Sequence, residues 1–94
     1  MDYYEILDIS PNATVIDIRK AYHRLAVLYH PDKNPNDPGA TQKFQQISEA
    51  YQVLSNECSR RDYDLSGKTD INIRSAYDLF EELFSDIDPI ILTF

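Results

Sequence analysis

Between Val15 and Tyr29 apolar residues recur with a helical period. At about 100° per residue, Ile18, Ala21, Tyr22, Leu25, Leu28 and Tyr29 fall within one arc of about 120°, while Arg19, Lys20, His23 and Arg24 take the opposite side. Thr14 precedes this run with Asp17 three positions on, the spacing of a capping box, so a helix is expected over 15–29. A second helical stripe, Phe44, Ile47, Tyr51 and Leu54, leaves Gln45, Gln46, Glu49 and Gln52 outside and predicts a helix over 40–55. Two such stripes joined by a short irregular segment predict an antiparallel helix pair. Residues 3–8 are expected as a short apolar-rich helix that Ser10-Pro11-Asn12-Ala13 breaks, and 57–64 as a last short helix, with paired Arg60 and Arg61, that Ser66-Gly67-Lys68 ends. The expected core is Tyr3, Tyr4, Leu7, Ile18, Leu25, Phe44, Ile47, Tyr51 and Leu54. The pattern is that of an all-α domain over residues 1–66, followed by a tail over 67–94.

The segment between the two long helices carries His30-Pro31-Asp32. Pro31 lacks an N–H and disfavours the α conformation in the residue before it, so the first long helix has to stop here. Asn34, Pro35, Asn36, Asp37, Pro38 and Gly39 keep the chain irregular beyond it. An imidazole and a carboxylate thus sit at the mouth of a helical hairpin. A turn alone does not require them, although a hydrogen-bonded cap that fixes the turn is the simplest use for both.

Charge sharpens this picture. The 94 residues carry nine Lys and Arg against sixteen Asp and Glu, a net charge of −7, which opposes non-specific binding to nucleic acid or to an anionic membrane. Residues 14–33 nevertheless hold four basic against two acidic side chains, so the cationic side of the 15–29 helix is an island on an acidic chain that leads into the His-Pro-Asp segment. A solvated helix face is the plain account of such a cluster. A chain this short buries a modest core. Its single cysteine, Cys58, fits a reducing compartment, and the start of the sequence resembles no signal peptide, so cytosol or nucleus is expected.

In order and spacing, Asp2-Tyr3-Tyr4-Glu5-Ile6-Leu7, Ile18-Arg19-Lys20-Ala21-Tyr22, Leu25-Ala26 and Tyr29-His30-Pro31-Asp32-Lys33-Asn34-Pro35 resemble the J domain of the DnaJ (heat shock protein 40) co-chaperones. Further on, Lys43-Phe44, Ile47-Ser48-Glu49-Ala50-Tyr51, Val53-Leu54-Ser55 and Arg60-Arg61-Asp62-Tyr63-Asp64 extend the resemblance over residues 2 to 66. The resemblance implies a four-helix domain that docks on a heat shock protein 70 class chaperone and accelerates its ATP hydrolysis. By the same resemblance Arg19, Lys20, Tyr22, His23, Arg24 and Lys33 would meet an acidic surface of that partner. His30, Pro31 and Asp32 would act at the junction of its domains, Asp32 against a partner arginine. The sequence departs from the family at His23, where Lys or Arg is usual, and at Leu28, often Lys, which weakens the cationic side. A J-like scaffold without ATPase stimulation is the rival that this weakening favours.

Other chemistries find little support. No nucleophile accompanies His30 and Asp32, so the chain is not expected to be an enzyme. His23, His30 and Cys58 lack metal-ligand spacing, and no cofactor is expected. A nucleic-acid-binding helix-turn-helix is opposed by the charge and by the length of the central loop. The tail contains one more amphipathic segment, 75–85, with Ala76, Tyr77, Leu79, Phe80, Leu83 and Phe84 on one side and Asp78, Glu81, Glu82 and Ser85 on the other. Alone it would be marginal and has to pack on something: the domain itself, a client or a second copy. The first is preferred, with the cationic side of the 15–29 helix as its complement, where docking would mask the chaperone-binding surface; the alternative is that the segment is the first element of a following domain. The apolar finish of residues 86–94 suggests a chain cut from a longer one.

Overall fold

The computed structural model describes residues 2–68 and 72–84. Its elements are α1 (Tyr3–Leu7), α2 (Val15–Leu28), α3 (Pro38–Leu54), α4 (Glu57–Ser66) and α5 (Ala76–Phe84). Residues 69–71 and 85–94, the side chain of Phe84, and the expectations placed on them lie outside the described residues.

Side chains that satisfy the free N–H groups at the helix starts set most of the boundaries. Asp2 accepts from the Glu5 N–H at the start of α1, and Asn56 accepts from Cys58 and Ser59 at the start of α4. Thr14 and Asp17 form the expected box, each side chain accepting from the other's backbone N–H at 3.1 Å. α3 starts two residues before the expected position, because Asp37 accepts from Ala40 and Pro38 fits the first helical position, where no N–H is needed. α4 runs to Ser66 and stops at Gly67, whose φ of 75° closes the helix in a left-handed turn. α2 ends one residue early, with Tyr29 as its C-cap.

Packing is organised around α3. Tyr22 faces Tyr51 and His30 faces Phe44, so positions advance along α2 as they fall along α3, which makes the pair antiparallel. α3 also receives α1, α4 and α5. It therefore buries Ala40, Phe44, Ile47, Ser48, Ala50, Tyr51, Val53 and Leu54, a wider arc than the single stripe expected of it. On α2 the buried arc is rotated from the expected one: Ala26 is fully buried at one edge, whereas Leu28 at the other is 56% exposed. Tyr3 and Leu25 are only half-buried against the core, and Ile6 joins it.

The paired arginines divide into two roles. Arg60 donates to the Tyr4 hydroxyl at 3.1 Å and to the carbonyls of Pro11 and Ala13 at 3.1 and 2.7 Å, clamping α4 to α1 and the α1–α2 connection. Tyr4 in turn donates to Asp64 at 2.6 Å, while Arg61 is exposed. Tyr3 stacks on Tyr63 and donates to Glu49. Burial, reinforced by that carboxylate, pushes the Tyr3 hydroxyl up to about 12. At the other end Ser59 donates to the Val53 carbonyl at 2.6 Å and fixes the bend between α3 and α4.

Candidate functional site

Pro31 stops α2 in a segment that holds itself together by hydrogen bonds. Lys33 and Asn34 donate backbone N–H groups to the His30 and Pro31 carbonyls at 3.0 and 3.2 Å, closing two tight turns. Asn34 adds a side-chain bridge: its amide donates at 3.0 Å to the Leu28 carbonyl, an acceptor at the end of α2, and to the His30 carbonyl, which also takes the Lys33 N–H. The sequence marked Asn34 only as a turn former. Its bridging role depends on the path of the loop back over the helix end, which composition does not encode.

His30 and Asp32 are used differently. The Nδ1 atom of His30 accepts from the Asp32 backbone N–H at 3.1 Å, so the ring caps the turn and, when neutral, carries its proton on Nε2. Asp32 Oδ2 lies 3.8 Å from the same nitrogen. A nitrogen that accepts a backbone N–H has no proton to offer a carboxylate, so this approach does not engage Asp32. The Asp32 side chain is 92% exposed, against 13% for His30. The cap that accounts for the imidazole therefore leaves the carboxylate without a structural task.

The His30 ring is covered by aromatic rings. Phe44 of α3 meets it edge-on at 5.3 Å, and Phe80 of α5 lies 4.5 Å away. Phe80 was read from sequence as part of the tail's apolar side, with no local signal pairing it with His30. A crevice of about 270 Å³, lined by His30, Asp32, Tyr77, Phe80 and Glu81, remains where α5 meets the loop.

On α2, Arg19, Lys20 and Arg24 are exposed. Lys20 and Arg24 also edge an open groove against Ile9, Ser10, Asn12 and Ala13. His23 is half-buried, and burial, with Arg19 nearby, pushes its pKa below the ordinary 6.5. Pro31 and Lys33 are half-buried. Tyr22 is not on the exposed side. It is 1% exposed and stacks on Tyr51 at 4.4 Å, on the apolar side where the helical period placed it; only the resemblance gave it a partner contact. A direct partner contact through Tyr22 does not fit this structure, and its task here is packing. The structure thus brings Arg19, Lys20, His23 and Arg24 onto one helix that leads to Asp32, and withholds Tyr22 and most of His30.

An antiparallel helix pair joined by a His-Pro-Asp loop within an all-helical domain is the fold of a J domain. The DnaJ domain family matches residues 2–64, and the chain belongs to that family. An uncharacterized J domain-containing protein of Schizosaccharomyces pombe is 56% identical over 88 residues, covering 88% of this chain and 22% of that protein. A chaperone protein DnaJ of Nitratiruptor is 46% identical over 87 residues, covering 93% and 23%. Among solved structures, the J-Trx1 fragment of ERdj5 superposes with a TM-score of 0.73 at 34% identity, covering 92% of this chain and 46% of that one. The chain spans less than a quarter of the length of these two curated relatives. Among the described residues no helix is long and apolar enough to cross a membrane.

Proposed function

We propose that this chain is a J-domain co-chaperone that docks on a heat shock protein 70 class chaperone and accelerates its ATP hydrolysis, promoting client capture. The observation that carries the reading is Asp32: an exposed carboxylate on a loop whose turn is already capped by His30 and Asn34. A carboxylate of this kind suits a partner's arginine, since charge-assisted and bidentate pairing is about twice as strong as a neutral hydrogen bond. Arg19, Lys20 and Arg24 suit an acidic surface, whose attraction acts on encounter rate and orientation more than on final affinity. The chain itself supplies no chemistry to the hydrolysis and needs no cofactor. Cytosol or nucleus is the compartment we assign, on the single free thiol of Cys58.

Steady-state ATP hydrolysis by a heat shock protein 70 class chaperone, with increasing amounts of this chain, tests the reading. A saturable, salt-sensitive acceleration supports it. Binding without acceleration would instead favour a J-like scaffold.

A further inference from the structure

We propose that Ser10 is a phosphorylation site for a proline-directed protein kinase, and that its phosphate seats against Lys20 and Arg24 and slows docking on the chaperone. The effect on docking rests on the co-chaperone reading above; the site and its seat do not. Ser10-Pro11 is the one place in the 94 residues where a serine or threonine precedes a proline. It lies in the connection between α1 and α2, and Ser10 is exposed there. In the transfer a bond forms from Ser10 Oγ to the γ-phosphorus of ATP. The bond from that phosphorus to the bridging oxygen breaks, ADP leaves with its electron pair, and the hydroxyl proton passes to a base on the kinase.

The surroundings of Ser10 suit the product. An open groove of about 520 Å³ runs between this connection and α2, with Ser10 on one side and Lys20 and Arg24, about one helical turn apart, on the other. Both cations are exposed. Asp17 is the acidic residue of the lining, and its Oδ2 accepts the Thr14 N–H at 3.1 Å, which ties it to the start of the helix. The lining therefore carries a net charge of +1, two cations against one carboxylate. A phosphoserine adds about −2 near pH 7, which leaves about −1 and reverses the sign of the groove.

The loop is already fixed where the phosphate is needed. Arg60 of α4 holds the Pro11 and Ala13 carbonyls at 3.1 and 2.7 Å. The Ala13 N–H donates to the Ser10 carbonyl at 2.9 Å and the Asn12 N–H to Ser10 Oγ at 3.1 Å. A phosphate on Ser10 is thus carried at a set position, and little ordering entropy opposes its pairing with Lys20 and with the forked guanidinium of Arg24. Arg19 does not line the groove and keeps its charge, as does Asp32. Surface cations act on encounter rate and orientation, so the modification slows arrival and spares the productive step at Asp32.

The test uses the full chain, its Ser10→Ala variant and its Lys20→Ala/Arg24→Ala double variant, each incubated with a recombinant proline-directed kinase and magnesium ATP. Mass spectrometry is expected to find one phosphate on the wild type and the double variant and none on Ser10→Ala. A chain left unmodified, or modified elsewhere, overturns the site. In phosphorus NMR the phosphate pKa is expected to lie below its ordinary value of about 6 in the wild type and to return to it in the double variant. Lys20, Arg24 and Asp17 face the phosphate from α2, and Arg60, which holds the loop from α4, is common to both chains. Equal titrations overturn the seat. With a heat shock protein 70 class chaperone, phosphorylation is expected to slow association of the wild type about tenfold at low salt, less as salt rises, and to leave single-turnover hydrolysis at saturating chain unchanged. Equal association rates with the phosphate seated overturn the effect on docking, and stimulation lost at saturation overturns its assignment to encounter. Absence of binding and stimulation by the unmodified chain overturns the co-chaperone reading and the docking effect, while the mass and NMR results still decide the site and its seat.

Discussion

Replacing Asn34 by alanine removes two hydrogen bonds from the end of α2 and none from the core. The Asn34 amide donates to the Leu28 and His30 carbonyls at 3.0 Å each. α2 ends on Tyr29 with φ −102° and ψ 11°, so it has no left-handed glycine to satisfy its last acceptors, and its last turn holds no basic side chain. Each bond contributes about 1 kcal/mol net, and the more exposed carbonyl of Leu28 can recover part of its share from water. The expected loss is about 1–2 kcal/mol, a large fraction of the roughly 5–10 kcal/mol that holds a small domain together. Asn34→Asp loses the same donors and sets a carboxylate against carbonyls at the negative end of the helix, so it is expected to cost at least as much. Urea unfolding followed by far-UV circular dichroism measures both, with the midpoint falling and the slope unchanged. Slower ATPase stimulation by Asn34→Ala than by wild type should accompany the loss, since the turn presenting Asp32 is no longer held. An alanine variant within about 0.5 kcal/mol of wild type, the range of ordinary surface changes, would refute the bridging role.

Other substitutions separate the remaining elements. Arg60→Ala is expected to cost about 2–3 kcal/mol, because its charged donors serve the Tyr4 hydroxyl and two carbonyls; exposed Arg61→Ala should stay within about 0.5 kcal/mol, and equal effects in chemical denaturation would contradict the clamp. His23, with its pKa below 6.5, is mostly neutral at pH 7, so affinity for an acidic partner surface should rise as pH falls through that lowered value, while His23→Lys binds more tightly at neutral pH. The same depressed pKa means that the unfolded chain takes up the proton first, so the His23 contribution to stability declines below about pH 6.5. A constant wild-type-to-variant affinity ratio across that range would count against it. Tyr3, pushed up to about 12 in the fold, keeps its proton where the unfolded chain loses it near 10; stability should therefore fall above about pH 10, less steeply in Tyr3→Phe, as denaturation in alkaline buffers would reveal.

The four helices of the domain could be read locally because their signals are local. Thr14 with Asp17 fixed the start of α2, and the apolar periods of α2 and α3 predicted their pairing. Boundaries slipped where a cap outside the periodic pattern decided them, as with Asp37 and Pro38 before α3 and Gly67 after α4. The rotation of the α2 face was not legible, because a helical wheel does not say where neighbouring helices lie; Ala26 went inside and Leu28 outside for that reason. The exposed site residues Arg19, Lys20, Arg24 and Asp32 stand where the sequence suggested. The tail helix was legible as amphipathic and was expected on the domain, but on the cationic side of α2. It instead packs on α3 over His30, since aromatic and aliphatic burial outweighs the attraction between exposed charges. Gln52, expected outside, became an anchor only through a residue 22 positions away in sequence.

One measurement bears most directly on the proposed function: single-turnover ATP hydrolysis by a heat shock protein 70 class chaperone with this chain and with Asp32→Asn, alongside the affinity of each. The account predicts that the variant keeps its fold and binds within a few-fold of wild type through Arg19, Lys20 and Arg24, yet loses nearly all stimulation. Stimulation by Asp32→Asn equal to that of wild type would contradict it.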